Sequence, residues 1–369
     1  MKIVCKNDEL ISAINIALRA VSSKTTMAVL ECLFIEARNG KILMTSNNME
    51  LGIKTEVPGR IDEEGQVAVN AKIFSDIARK LPVGSINISV DENYSMFINC
   101  GKAKFRIAAQ SGNDFPVLPE IKKDSFITIS EFTLKEVIRQ TIFAVSDNEA
   151  TKIMTGEHFE INGKNLTVTA LDGHRIAIRN IELKKVFDDK DVIIPGKTLN
   201  EISKIIEGDA EKEIVIYFSQ NNILFEFENT IVLSRLIEGK YLNVKQMISP
   251  DFDTKIKINK KELMDCIDRA TLLVKESDKK PIIISIENSS IRLNMNTSIG
   301  TMDEEIDVEK DGNDLLIGFN PKFIMDVIKV IDEDEITIYM TNSKAPCFIR
   351  DEKVSYNYLI LPVNFSTAR

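Results

Sequence analysis

The sequence predicts an α+β protein made of three tandem copies of one module, each with two helices and an antiparallel sheet. Three observations predict it: an amphipathic helical stretch repeated at equal spacing, a second helix near the start of each copy, and period-two alternation elsewhere. The stretch Asn70 to Leu81 recurs 125 residues later at Pro195 to Ile206, and 125 later again at Asn320 to Ile331. Its apolar columns are Phe74/Leu199/Ile324, Ile77/Ile202/Val327 and Leu81/Ile206/Ile331, spaced as one face of a helix. Two columns are basic in every copy, Lys72/Lys197/Lys322 and Arg79/Lys204/Lys329, and one is acidic, Asp76/Glu201/Asp326. These fall together on the opposite, outer face.

The other helix of each copy follows Asn7, Ser130 and Asn259 in turn. Its apolar faces are Leu10, Ile11, Ile14, Leu18 and Val21; then Leu134, Val137, Ile138, Ile142 and Val145; then Leu263, Ile267, Ala270 and Val274. Asn259 and Glu262 have the spacing of a capping box, and Pro321 fits the first helical position after an Asn320 cap. Strands are read at Val67–Val69, Ile86–Val90, Leu166–Thr169, Ile214–Phe218, Ile282–Ile286 and Ile336–Tyr339, with turn signals at Asn39-Gly40, Asn162-Gly163 and Asp311-Gly312. Composition shifts place module boundaries after 123 and 252, giving modules 1–123, 124–252 and 253–369. Open sheets leave edges, and similar modules can cover them by joining edge to edge.

The composition bounds the function. A chain of 369 residues is long for one core, and 44% hydrophobic with 28% charged residues is ordinary globular usage. No apolar run approaches 20 residues, so no transmembrane helix is expected, and MKIVCKNDEL reads as a first strand rather than a signal peptide. Cys5, Cys32, Cys100, Cys266 and Cys347 form no CxxC pattern and read as reduced, buried thiols of a cytoplasmic protein. A net charge of −9 argues against nucleic acid, yet the helical stretches together are net basic within that acidic chain. From charge alone two readings of the basic columns stay open: an ordinary solvated helix face, or a surface that attracts phosphates without reading bases.

Catalytic signatures are missing: there is no P-loop, dinucleotide fingerprint, HExxH or GxSxG, and no metal-ligand cluster around His158 and His174. Asp172 and His174 invite a hydrolase or transferase reading, but no serine or cysteine has elbow spacing nearby, and Asp172-Gly173 marks a tight turn. No catalytic residue, cofactor or metal is expected. A third reading is a monomeric peptide-binding scaffold of three modules.

Asp114-Phe115-Pro116-Val117-Leu118-Pro119, Leu171-Asp172-Gly173-His174-Arg175, Ile317-Gly318-Phe319-Asn320 and Leu359-Ile360-Leu361-Pro362-Val363, in this order and together with the three-fold repeat, resemble the bacterial DNA polymerase III beta subunit family, the sliding clamps. The resemblance covers the whole chain. It implies the DNA clamp fold, a head-to-tail homodimer closing a six-domain ring around duplex DNA, and a processivity role in the bacterial cytoplasm, at the nucleoid. The implied partners are the replicative polymerase, a clamp loader, and repair polymerases and mismatch-repair or ligase-type factors carrying short linear motifs of the Gln-Leu-x-Leu-Phe kind. No membrane partner is implied.

The resemblance assigns residues as well. DNA-facing positions are Lys24, Lys72, Arg79, Lys135, Arg139, Lys197, Lys204, Lys260, Lys322 and Lys329. The peptide pocket takes Met154, Leu171, Gly173, His174, Arg175 and Ile176 from the second module. Leu242, Met247, Asn320, Phe323, Leu359, Ile360, Leu361, Pro362 and Val363 supply the rest. The dimer interface takes Lys102, Lys104 and Phe105 on one side and Leu272, Leu273, Asp303, Glu304 and Glu305 on the other. Leu242, Gln246, Asp278, Pro346 and the residues after Val363 depart from the family pattern and bear on the peptide preference.

Overall fold

A computed structural model describes residues 1–22, 25–274 and 280–365. Lys24, Asp278 and residues 366–369 lie outside the described residues. The described chain carries six α-helices: α1 Asn7–Ala17, α2 Ala71–Lys80, α3 Glu131–Thr141, α4 Gly196–Ile205, α5 Lys260–Thr271 and α6 Pro321–Val330. Strands separate them in the order the repeat predicts, strand–helix–strands–helix–strands in each copy.

Helix ends follow from local chemistry with one departure. The side chains of Asn70 and Asn259 accept the backbone N–H three residues on, from Ile73 and Glu262, at 3.1 Å each. Asn320 accepts from Lys322 N at 3.0 Å ahead of Pro321. Asn7 does not cap α1. It is the first helical residue, buried, and its amide donates to the carbonyls of Leu81 and Pro82 at 3.1 Å. It therefore ties the start of α1 to the end of α2, satisfying carbonyls left free where α2 stops.

The chain forms two compact units, Met1–Phe132 with Glu201–Leu236, and Thr133–Asn200 with Ile237–Arg369. In the first, a five-stranded antiparallel sheet runs Gly59–Glu63, Lys2–Lys6, Ser85–Val90, Ser95–Cys100, Ala103–Ala108. Its eight-stranded sheet joins two modules edge to edge, where Thr230–Arg235 pairs with Leu51–Val57. In the second unit, the seven-stranded sheet makes the corresponding join between Arg175–Pro195 and Tyr356–Ile360. A four-stranded sheet there ends on Thr301–Asp307.

Apolar columns of the repeat form the cores. Phe74, Leu199 and Ile202 are fully buried, and Val327, Ile206 and Ile331 nearly so. All five cysteines are buried and free, and burial pushes the thiols of Cys5, Cys266 and Cys347 up to about 11, 12 and 12. Asn39-Gly40 makes the expected tight hairpin, both residues having positive φ. Asn162-Gly163 does not: the strand Gly156–Leu171 continues through it, and Gly163 (φ 61°) marks a bulge.

Candidate functional site

The turn Leu171–Arg175 organises one face of the second unit. Asp172 Oδ1 accepts the backbone N–H of His174 at 2.9 Å and of Arg175 at 3.1 Å, and Gly173 takes φ 88° between them. The strand that follows pairs Ile176 with Leu359 and Arg175 with Ile360. Successive residues of a strand point to opposite faces. Ile176 and Leu359 thus join Leu171, Tyr241, Val244 and Phe348 in one buried apolar cluster, with half-buried Met154 packed on it.

Arg175 and Ile360, which the sequence groups with the docking residues, face the other way. Ile360 is fully buried in the main core of the second unit. Arg175 is 7% exposed. Its guanidinium donates to Asp172 Oδ2 at 3.0 Å, Asp326 Oδ2 at 2.6 Å and the Phe143 carbonyl at 2.5 Å, over the rings of Phe323 (4.6 Å) and Phe143 (5.2 Å). A buried cation so enclosed holds the turn in place. Asp326, read as part of an outer acidic column, is consumed as its counter-ion.

Above the buried floor lies an exposed rim. Leu242, Met247 and Leu361 are 44%, 49% and 38% exposed. Val244 and Ile248 anchor the segment that presents Leu242 and Met247. Leu361 is fixed by its N–H donating to the His174 carbonyl at 2.9 Å, and Val363 by donating to the Gly318 carbonyl at 2.8 Å. The exposed His174 ring stacks on Phe323 at 5.8 Å. Pro362 is half-buried, and the Asn320 side-chain oxygen is occupied as the α6 cap. Tyr241, Val244 and Phe348 lie outside the residues the sequence singles out; for Phe348 the signal is the short apolar run Cys347-Phe348-Ile349, whose three residues are all buried. Among the departures, Gln246 is exposed and Pro346 half-buried.

The basic columns divide. Lys72, Arg79, Lys197, Lys204, Lys322 and Lys329 are all exposed. Arg79 donates to Asn15 at 2.9 Å, Lys204 pairs with Glu201 at 2.7 Å and Lys197 with Glu149 at 2.7 Å. Lys135 is half-buried. Arg139 and Lys260 are committed inward. Arg139 pairs with Glu136 at 2.5 Å and Asp332 at 2.9 Å, and the Glu136 hydrogen bond holds its pKa above the ordinary arginine value. Lys260 donates to the Ile331 carbonyl at 2.9 Å.

Both edges expected at a dimer contact are end strands of their sheets, Ala103–Ala108 and Thr301–Asp307. Lys102, Lys104 and Phe105 are exposed on or beside the first, and Leu272 is 78% exposed with Leu273 half-buried near the second. Arg292 holds Asp303 at 3.1 Å, Arg269 holds Glu304 at 2.9 Å, and Ser290 donates to Glu305 at 2.6 Å. The Arg269 hydrogen bond lowers the Glu304 carboxyl below its usual range. Among the described residues, no group of three His, Cys, Asp or Glu side chains is placed to hold a metal, and no helix is long and apolar enough to cross a membrane.

Repeated two-helix modules joined sheet edge to sheet edge define a DNA clamp fold. The N-terminal, central and C-terminal domain models of the DNA polymerase III beta subunit match residues 1–119, 128–243 and 245–364. The beta sliding clamp of Staphylococcus aureus (strain Mu50 / ATCC 700699) is 34% identical over 98% of this chain and 99% of its own length. Among solved structures, a DNA polymerase III beta-subunit homologue of Eubacterium rectale is 55% identical, with TM-score 0.96 over 99% of this chain and all of that one. The sliding clamp of Bacillus subtilis is 33% identical, with TM-score 0.94 over the same shares of both chains. The chain belongs to the DNA polymerase III beta subunit family, the sliding clamps of bacterial replication.

Proposed function

We propose that two copies of this chain close head to tail into a ring around duplex DNA and tether the replicative polymerase without catalysing any step. In this reading the modules divide after residues 123 and 252 and the six helices face the duplex. Ala103–Ala108 of one copy meets Thr301–Asp307 of the other. A clamp loader opens the ring, and loader, polymerase and repair factors insert short linear motifs over the Leu171/Ile176/Leu359 floor beneath Leu242, Met247 and Leu361. Aliphatic walls suit leucine and phenylalanine anchors.

The observation that carries the reading is the exposure of both basic columns in all three repeats, Lys72/Lys197/Lys322 and Arg79/Lys204/Lys329. A solvated helix face has no reason to keep two cations in register three times. Contacts of this kind go to phosphate, independent of sequence, and weaken steeply with salt. Binding of the protein to a linear duplex with free ends, onto which a ring can thread, followed against salt, tests it. Lys322→Ala is expected to lower the slope of log K against log [salt] by about 0.9. Arg139→Ala is expected to leave the slope nearly unchanged, because its charge is already spent on Glu136 and Asp332. Equal slopes for wild type and a Lys72→Ala/Lys322→Ala/Lys329→Ala variant would overturn the assignment.

A further inference from the structure

The first unit contains a second copy of the docking frame. Asn48 Oδ1 accepts the backbone N–H of Glu50 at 3.0 Å and of Leu51 at 2.8 Å, as Asp172 does for His174 and Arg175. Met49 takes φ 75° where Gly173 takes 88°. Arg235 N donates to the Glu50 carbonyl at 3.0 Å, as Leu361 N does to His174 at 2.9 Å. Leu233 pairs with Gly52 as Leu359 pairs with Ile176. Phe115 stacks on Phe34 at 5.1 Å and 12°, as Tyr241 stacks on His158 at 4.9 Å and 16°. Each link matches in kind and geometry, so the segments Asn48–Gly52, Phe115–Leu118 and Leu233–Arg235 hold the backbone path that surrounds the docking floor of the second unit.

The side chains on this frame differ. Gly52 stands where the other copy has Ile176, and Leu118 drops into the space: its Cδ2 lies 2.1 Å from where a Cβ at position 52 would sit. Leu118 and Leu233 floor a cavity of about 100 Å³, room for one branched aliphatic side chain. Met49 and Val117 stand exposed beside it, at 46% and 78%. At the mouth, His174 is replaced by Glu50 and Leu361 by Arg235. Both are exposed, and neither makes an ion pair within the described residues. Their backbones are hydrogen-bonded to each other, so an anionic and a cationic group flank one apolar slot.

We propose that this groove is a second linear-peptide site of each chain, taking one aliphatic anchor between an acidic residue that meets Arg235 and a basic residue that meets Glu50. The proposal rests on the docking reading of the second unit, from which the frame takes its meaning. Charge at the rim sets which peptide is accepted and in which direction it lies, while the apolar slot supplies the hold.

The test uses the full chain and three acetylated, amidated peptides: Gln-Leu-Ser-Leu-Phe, Gly-Lys-Leu-Asp-Gly and Gly-Asp-Leu-Lys-Gly. Calorimetry is run with each charged peptide on protein saturated with the first. One charged peptide is expected to bind additionally, one per chain, with the other order at least about tenfold weaker, a difference of about 1.4 kcal/mol. Arg235→Glu and Glu50→Lys, both on the surface, are each expected to weaken it about tenfold. The double variant is expected to exchange the preference between the two orders. No second binding event at millimolar peptide, or binding unmoved by both charge reversals, would overturn the proposal. Failure of Gln-Leu-Ser-Leu-Phe alone, with the charged peptide bound and responsive to Arg235→Glu, would instead remove the docking reading of the second unit.

Discussion

The guanidinium of Arg175 meets the carboxylate of Asp326 at 2.6 Å, joining two residues 151 apart in sequence. One lies at the start of the strand that carries Ile176; the other is the middle of α6. Their side chains are 8% and 23% exposed, so the pair is largely withdrawn from water. Removing one partner leaves a buried charge short of its counter-ion. Asp326→Ala is expected to cost about 3 kcal/mol in urea unfolding. Arg175→Met with Asp326→Leu is expected to cost less than the single change, since the buried guanidinium leaves with its partner and Asp172 keeps the two backbone N–H groups of the turn. A single variant as stable as wild type would show that Asp172 alone suffices for Arg175.

Glu157 predicts an unusual pH dependence. The residue is fully buried, and burial pushes its carboxyl up to about 8 from 4.5. The Thr141 hydroxyl, 2.7 Å from the Val137 carbonyl, lies 3.0 Å from Glu157 Oε2, and donation to the carboxylate offsets only part of the effect of burial. The folded state then binds more protons than the unfolded chain between about 4.5 and 8, and stability falls as pH rises through that window. Glu157→Gln is expected to match wild type near pH 5 and to be more stable by about 2 kcal/mol or more at pH 9. Unfolding midpoints of both proteins across that range check it.

Rim and core should respond differently to the same substitution. Met247→Asp and Leu361→Asp change the exposed rim, and each is expected to weaken Gln-Leu-Ser-Leu-Phe binding by about 100-fold without moving the unfolding midpoint. Ile360→Asp places a charge in the core and is expected to prevent folding. Fluorescence anisotropy of a labelled peptide, with thermal unfolding as control, separates the two.

The dimer edge offers a sharper probe than its charges do. Glu304 and Asp303 already have partners within the chain, Arg269 and Arg292, so charge changes there are buffered. Leu272, 78% exposed, and Phe105, 38% exposed, are apolar surface with no cover of their own. Leu272→Asp or Phe105→Asp is expected to convert a dimer to a monomer in sedimentation velocity at micromolar protein.

Much of this was legible in the sequence because it is local and repeated. The three-fold recurrence of Phe74, Leu199 and Ile324 gives the module, and the Asn259 and Asn320 caps follow from neighbouring residues. What escaped depends on distance or on parity. Arg175-Ile176 and Leu359-Ile360 lie on paired strands that are buried on both faces, so polarity does not say which residue meets which core. Arg139 reads as a free cation until Asp332, remote in sequence, is folded beside it. Asn7 has a capping residue's chemistry, yet Leu81 and Pro82 offer its amide a better use. The first-unit copy of the docking frame was hidden because its hydrogen bonds are kept while Ile176, His174 and Leu361 are exchanged for Gly52, Glu50 and Arg235.

The most direct measurement of the central claim is retention on DNA of different topology. The protein is loaded by a clamp loader with ATP onto a nicked circular plasmid, gel-filtered in high salt, and the plasmid is then linearised. The account predicts retention on the circle and release on linearisation, because the link is topological and the phosphate contacts alone do not survive salt. Loss from circle and line alike, after loading has been verified in low salt, would contradict encirclement and leave a peptide-binding scaffold held to DNA by charge.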